Sequence, residues 1–395
     1  MNPEAVSAAQ EVADQLTQEL GEQLVAFHLY GSTVTQRYLP QHSDINLLAV
    51  TRDDTDIHAV RAAFWPVWDS LQTILHHPPS VATVSQLQRH LQLQPLIHQH
   101  LATFGQLLAG RSLLPPAPAV SQAESLAYWC QQSLEVSPVL APGLLRNGTL
   151  TRLAERLRRL ARQLDCPVTA DADLTAVFGQ VQVALTSKVA QLDSEFQWSA
   201  ELLADAPSLL PQLQAIYEVE DGLLFIFPDL PLSEWEAINW VEVTELLRDQ
   251  YYNLWVATAA QFRLALRLER PLYSRLRHFS HLWGHDLLAD LPSDQRLLFR
   301  QAARLPSGLL IDGLPRAYLS QDEDNLHPLL HDFQNQLLNI QLQHELLIRL
   351  HQLAPAAPPQ PLPDRDWPAP ERVAAIFYQL DWWAAHYTGL MLSAA

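Results

Sequence analysis

Hydrophobic residues recur every three or four positions through most of the chain, the spacing that places them on one face of a helix. Leu153, Leu157, Leu160 and Leu164 form one such series. The pattern predicts helices at residues 144–164, 174–202, 235–267, 326–353 and 371–392. The chain shows no sustained heptad and no clear internal repeat. From the leucine spacing, the region between the N-terminal part and the C-terminus is expected to be mostly helical.

The first 112 residues follow a different pattern, in which short apolar runs alternate with amphipathic helices. Residues 3–20 predict a capped helix and residues 55–74 a second one. Strands are predicted at 24–30 (LVAFHLY), 44–50 (DINLLAV) and 80–84 (SVATV). Strands that alternate with helices are typical of a small α/β domain.

Two proline-rich stretches divide the chain, one of them LLPPAPAV at 113–120 and the other at 354–370. Prolines at this density favour extended linkers over packed elements. The predicted organisation is an α/β domain at 1–112, a linker at 113–120, an all-α region at 121–353, a linker at 354–370 and a C-terminal helix at 371–395.

Candidate chemistry is concentrated in residues 29–50, LYGSTVTQRYLPQHSDINLLAV. An apolar strand ends in Gly31 and Ser32, and the next strand opens with Asp44 and Asn46. Glycine lets a backbone approach phosphate closely, and a serine hydroxyl can donate a hydrogen bond to it. Side chains two positions apart on a strand point to the same face, so Asp44 and Asn46 are expected to face one ligand.

This segment resembles the signature of the polymerase-β-like nucleotidyltransferase superfamily, in which Gly-Ser is followed by Ser-Asp-x-Asp on a strand. Ser43 and Asp44 match the start of that second element. The resemblance implies a nucleotidyltransferase-like α/β domain followed by a helical region, as in bacterial enzymes that transfer AMP to small hydroxylated acceptors. It also implies nucleotide binding at Gly31 and Ser32, and Mg²⁺ with an NTP at Asp44 and Asn46.

The chain departs from the family pattern at two of the three carboxylate positions. Asn46 stands where the family has its second carboxylate, and an amide oxygen ligates Mg²⁺ without supplying charge. No Asp or Glu occurs between Asp69 and Glu124, the stretch that contains the strands expected to supply the third. Removing such groups costs several kcal/mol of transition-state stabilisation. The sequence therefore predicts a degenerate metal site.

Three functions remain open on the sequence. The first is a pseudoenzyme of nucleotidyltransferase fold that binds a nucleotide or a protein partner. The second is an active metal-dependent nucleotidyltransferase that transfers a nucleoside monophosphate from an NTP to a small-molecule or protein hydroxyl. The third is a purely structural helical adaptor. The missing carboxylates favour the first.

The net charge and the cysteine content indicate which classes of partner and which cellular compartment to expect. The chain carries 25 basic and 43 acidic residues, for a net charge of -18, which argues against nucleic-acid binding. Cys130 and Cys166 are isolated and form no CxxC pair, as in the reducing cytoplasm. The start of the sequence does not resemble a signal peptide, and no apolar run approaches the ~20 residues of a membrane helix. A cytoplasmic protein without a membrane segment is expected.

Two further clusters have more than one interpretation. His278, His281 and His285 have helical spacing that would suit a zinc site, although packed or exposed histidines are the simpler interpretation. Residues 146–162 contain six arginines and one acidic residue, Glu155. Such a helix could contact a nucleotide's phosphates or an acidic partner, or it could be an ordinary solvated face.

Overall fold

The chain divides into two compact units, Met1–Ala119 with Leu298–Ala395, and Val120–Leu297. The computed structural model describes residues 2–35, 44–142, 144, 150–169, 172–192, 210, 212–219, 222–247, 253–268, 279–287, 295–351, 353–364 and 366–394. The boundary at residue 119 falls in the first proline-rich stretch, whereas the second stretch lies inside the first unit.

The first unit combines a four-stranded sheet with helices from both ends of the chain. Its elements are α1 (Pro3–Leu20), β1 (Leu24–Tyr30), β2 (Asn46–Thr51), α2 (Ile57–Leu75), β3 (Ser80–Thr83), α3 (Val84–Leu93), α4 (Pro95–Phe104), β4 (Gln106–Gly110) and the C-terminal elements that follow the second unit. The strand order is β3-β2-β1-β4, with β1 antiparallel to β2 and β4, and β2 parallel to β3.

The sheet of the first unit is buried on both faces. Phe27 and Leu29 lie in one core with residues of α1 and α2. Ala26 and Leu48 lie in another with residues of α3 and α4 and with Ile311, which comes from the C-terminal part of the chain. Strands covered on both faces are apolar at nearly every position, which explains the uninterrupted run of β1.

Most of the elements predicted for residues 1–112 are confirmed. The helix at 3–20 is α1, where the Asn2 side chain accepts a hydrogen bond from the Glu4 backbone N–H and caps the first turn. The strands predicted at 24–30, 44–50 and 80–84 correspond to β1, β2 and β3. The part of the chain at 1–112 is therefore of the mixed α/β class, with β4 as an additional strand.

The second unit contains another four-stranded sheet, in a region where the sequence predicts only helices. Its elements are α5 (Gln122–Val136), α6 (Leu150–Gln163), α7 (Leu174–Ala190), β5 (Ala215–Val219), β6 (Gly222–Phe227), α8 (Leu232–Ala237), α9 (Trp240–Leu247), β7 (Asn253–Thr258), α10 (Ala259–Leu268) and β8 (Phe279–Gly284). The strand order is β7-β6-β5-β8, with β5 antiparallel to β6 and β8, and β6 parallel to β7.

The all-α expectation for 121–353 is corrected by this second sheet, and the helix expected at 235–267 is interrupted by β7. The physical reason is burial. All six residues of β6, GLLFIF, are buried, so the strand has no polar alternation. Hydrophobic periodicity does not distinguish such a strand from a short buried helix.

The chain returns to the first unit through α11 (Gln295–Gly308), of which the part from Leu298 onward belongs to that unit. The remaining elements are a π-helical turn (Leu309–Gly313), α12 (Leu314–Ser320), α13 (Glu323–His351) and α14 (Ala369–Ser393). The helices predicted at 326–353 and 371–392 correspond to α13 and α14. Among the described residues, no helix combines the length and apolarity needed to cross a membrane.

The two sheets repeat one arrangement, with the same strand order, the same strand directions and the same register. Ala26 of β1 pairs with Gly110 of β4, and Ala215 of β5 pairs with Gly284 of β8. In each sheet the register of that pairing then shifts one residue further along the central strand. The bulges of the two sheets therefore lie at matching positions.

The glycines at these matching positions have the same backbone geometry. Gly110 has φ of +75° and Gly284 has φ of +84°. A β-carbon at Gly110 would lie 2.1 Å from the Val25 carbonyl oxygen, and one at Gly284 would lie 2.0 Å from that of Gln214. Both positions therefore require glycine for the same reason.

The parallel edge strands also end alike. Thr83 and Gln86 form reciprocal hydrogen bonds between side chain and backbone at the start of α3, and Thr258 and Gln261 do so at the start of α10. Both sets belong to a Val-Ala-Thr-x-x-Gln sequence. The two sheets of the chain therefore share one arrangement, which the sequence pattern alone does not reveal.

Candidate functional site

The turn after β1 packs directly against the first residue of β2. Gly31 has φ of +82°, and its backbone N–H donates to His100 Nε2 at 3.1 Å. A β-carbon at Gly31 would lie 2.6 Å from Asn46 Nδ2, so the turn closes over the Asn46 side chain. Ser32, the next residue, is half-buried. Two of the predicted site residues, Gly31 and Asn46, are thus brought together.

Asp44 lies beside a histidine that the sequence analysis did not single out. Its side chain is 59% exposed, and its Oδ2 atom is 3.9 Å from His77 Nε2. The His77 ring donates from Nδ1 to the Pro78 carbonyl oxygen at 3.0 Å, since a carbonyl can only accept. Burial, together with the Arg316 charge, lowers the pKa of His77, so the imidazole is neutral near pH 7.

A carboxylate and a guanidinium from the C-terminal part of the chain reach the start of β3. Ser80 donates a short hydrogen bond to Asp312 of the π-helical turn. Arg316 Nη2 donates to Ser80 Oγ at 2.8 Å and to Tyr30 Oη at 3.4 Å. Arg316 also pairs with Asp312 at 3.4 Å, one helical turn away. The four side chains form one network, which we call the Arg316 network.

The Arg316 network borders a cavity of about 370 Å³. The cavity is lined by His76, His77, Pro78, Asp312, Gly313, Arg316, Ala317 and Ser320. Burial raises the pKa of Tyr30, which keeps the phenol protonated beside Arg316. The site therefore contains a permanent cation of the protein, Arg316, between neutral and anionic side chains.

The described residues do not provide the ligand set for the Mg²⁺ that the resemblance implies. Within the part of the chain that is described, no group of three or more His, Cys, Asp and Glu side chains is placed to hold a metal ion. Asn46 packs against Gly31, and Asp312 is already paired with Arg316. Ser43, which the resemblance places before Asp44, lies outside the described residues.

The residues that sequence reasoning missed are His77, Ser80, Asp312 and Arg316. Ser80 and Asp312 are 232 positions apart, so no local pattern indicates that they meet. The only signal was the acid-free interval between Asp69 and Glu124, which shows that any further carboxylate must come from elsewhere in the chain.

The two described histidines of the cluster considered for zinc, His281 and His285, do not lie on a helix. His281 is an exposed residue of β8, and His285 follows the end of that strand. Asp286 accepts a hydrogen bond from Tyr217 Oη at 3.1 Å. His278 lies outside the described residues. A helix through His281 and His285 is therefore wrong, because Phe279–Gly284 is a strand.

Comparison with known proteins leaves the geometry as the basis for assignment. No protein-family model matches the chain, and no curated protein matches it.

Proposed function

We propose that this protein is a pseudoenzyme of nucleotidyltransferase-like fold, which binds a nucleotide or a protein partner at the turn after β1 and does not transfer nucleotides. One observation supports it above the others: the Arg316 guanidinium is hydrogen-bonded to Ser80 and Tyr30 on the sheet face that carries Asn46. A cation that belongs to the protein lies at the face where a transferase would hold its metal.

The lack of transfer follows from the charges around that cation. Nucleotide transfer with two metal ions requires several carboxylates at one place. The carboxylates hold the two divalent cations, and the cations stabilise the negative charge on the attacking and leaving oxygens. Here Asp44 is the one carboxylate that the motif retains, and it faces His77. Asp312 is neutralised by Arg316. A transferase would have to break this ion pair before Asp312 could ligate a metal.

One observation favours the alternative of an active nucleotidyltransferase. Asp312 brings a second carboxylate to Ser80, on the strand beside β2, although the sequence around that strand has none. If the ion pair with Arg316 opened, Asp44 and Asp312 would offer two negative charges to a metal. This alternative predicts a strict requirement for a divalent cation, whereas the pseudoenzyme needs none.

Binding is tested by calorimetric titration with ATP in the presence and in the absence of Mg²⁺. We expect ATP to bind without Mg²⁺, and we expect Ser32→Ala and Arg316→Ala each to weaken binding about tenfold, about 1.4 kcal/mol. The matched control is Arg52→Ala, since Arg52 is an exposed arginine directly after the other end of β2. Binding that depends on Mg²⁺ supports the active enzyme, and no binding at all leaves a protein-binding or purely structural role.

A further inference from the structure

The helix α6 carries a concentrated positive surface on a chain that is otherwise acidic. Its apolar side chains Leu157, Leu160 and Ala161 are buried in the core of the second unit, and Ala154 is buried as well. The other face carries the arginines Arg152, Arg156, Arg158, Arg159 and Arg162, of which Arg152, Arg156 and Arg162 are exposed. Five of the chain's 25 basic residues therefore lie on one helix face, which we call the α6 arginine face.

Most of this charge is not neutralised within the described part of the chain. Arg156 forms an ion pair with Glu135 at 2.5 Å and also donates to Gln132. Glu155 lies one helical turn from both Arg152 and Arg159. Among the described residues, no ion pair within 4.0 Å joins Arg152, Arg159 or Arg162 to a carboxylate. The net charge of the whole protein is -18, so an unpaired cluster of this size differs sharply from the rest of the surface.

We infer that the α6 arginine face binds a short acidic segment of a partner polypeptide. Guanidinium groups hold carboxylates through paired hydrogen bonds in a fixed geometry, better than lysine does. Arg152 and Arg162 are about 15 Å apart along the helix axis, and Arg159 lies between them. An extended peptide advances about 3.3 Å per residue, so carboxylates at every second position of a segment of about six residues span this distance.

The observations favour an acidic polypeptide over an anionic membrane surface and over nucleic acid. A membrane-surface helix inserts an apolar face into the lipid boundary, but the apolar face of α6 is already buried in the protein core. Nucleic acid extends its negative charge well beyond the ~21 Å length of this helix, into the field of the remaining acidic surface. A short acidic segment contacts the arginines of α6 without extending over the rest of the acidic surface.

Fluorescence anisotropy tests the inference with a labelled Glu-Ser repeat peptide of about twelve residues, long enough to span the helix, at about 150 mM salt. The test variant is the triple Arg152→Gln, Arg159→Gln, Arg162→Gln. The matched control is the triple Arg52→Gln, Arg111→Gln, Arg296→Gln, which removes the same charge from exposed arginines elsewhere. Circular dichroism checks that both triples are folded, as expected for side chains that are exposed or, at Arg159, half-buried.

We expect the peptide to bind the wild type, the α6 triple to weaken binding at least about tenfold, and the control triple to stay within about twofold. A peptide with Gln in place of Glu should not bind. Equal losses in the two triples would overturn the inference, since general charge would then explain the binding. Absence of peptide binding, or tighter binding of single-stranded DNA of the same length, would overturn it as well.

Discussion

The two sheets share their strand order, strand directions and register, and they differ in the connection between the central strands. In the first unit, residues 31–45 join β1 to β2 and contain the Gly31 turn. In the second unit, residues 220–221 alone join β5 to β6. The strand order, strand directions and register that the two sheets share depend on backbone pairing and on burial of the strands, which both sheets need in order to be stable. Of the candidate site residues, Gly31, Ser32 and Asp44 belong to the long connection, which the second unit does not have.

The difference extends to the facing strand. Ser80 of β3 pairs with Leu48, and the matching position of the second sheet is Trp255, which pairs with Leu224. A β-carbon at Gly222 would lie 2.4 Å from Trp255 Cζ3, so the indole covers the position that corresponds to Asn46. The second unit fills with an aromatic ring the face that the first unit lines with polar groups.

The strongest test of the shared frame is to substitute the two bulge glycines. Gly110→Ala and Gly284→Ala each force a β-carbon against a carbonyl oxygen at a φ that alanine disfavours. We expect each substitution to lower the free energy of unfolding by about 4 kcal/mol, measured by urea denaturation. Similar losses would indicate that the two positions have the same role.

The control is Gly389→Ala in α14, where a β-carbon would contact nothing within 4 Å. There we expect a gain of about 0.5–1 kcal/mol, because alanine favours a helix interior. A large loss at only one of the two bulge glycines would contradict the equivalence of the sheets.

Acid is expected to destabilise the first unit more than the second. In the described part of the chain, the histidines with a lowered pKa are His28, His77, His344 and His386, all in the first unit. Burial, and then the neighbouring His386, lowers the pKa of His344 to about 4. In the unfolded chain a histidine takes up its proton at about pH 6.5, whereas His344 in the folded chain does so only near pH 4. Because the unfolded state then binds more protons, the stability of the first unit falls as the pH drops from about 6.5 to about 4.

For His344 alone the expected loss is about 3 kcal/mol over that range. Unfolding followed by tryptophan fluorescence at a series of pH values measures it, and His344→Phe should flatten the pH dependence while keeping an aromatic ring against Trp383. A first unit that is as stable at pH 4 as at pH 7 would contradict this account.

The smallest effect concerns the two capping boxes. Thr83→Ala and Thr258→Ala each remove the side chain that accepts a hydrogen bond from the backbone N–H of the following Gln. We expect losses of about 1 kcal/mol, somewhat larger for Thr258 because it is fully buried. Thermal denaturation of both variants measures the difference. A larger loss at Thr83 would argue against burial as the cause.

Much of the first unit can be predicted from local sequence. The helix α1 has an Asn cap and a proline at its first position, and β1 to β3 are apolar runs bounded by turn residues. The second sheet could not be predicted in this way. Its strands are short, β6 is buried at every position, and the Val-Ala-Thr-x-x-Gln match is too brief to establish a repeat without the register.

The candidate site was predictable only in part, for a physical reason. Gly31, Ser32, Asp44 and Asn46 lie on two consecutive strands and their connection, so the local motif identifies them. Their partners come through tertiary packing of the π-helical turn and α12 against the sheet, and spacing along the chain carries no information about that contact. The sequence predicts a missing carboxylate, whereas the packing supplies Asp312 together with the arginine that neutralises it.

The most direct test of the central claim is an assay of nucleotide transfer. Labelled NTPs are incubated with the protein, in Mg²⁺ and in Mn²⁺, together with protein, RNA and small hydroxylated acceptors. We predict no transfer by the wild type and none by Asn46→Asp, because the added carboxylate leaves Arg316 and its pairing with Asp312 in place. Transfer by the wild type that Asp44→Ala abolishes would contradict the pseudoenzyme and establish an active nucleotidyltransferase.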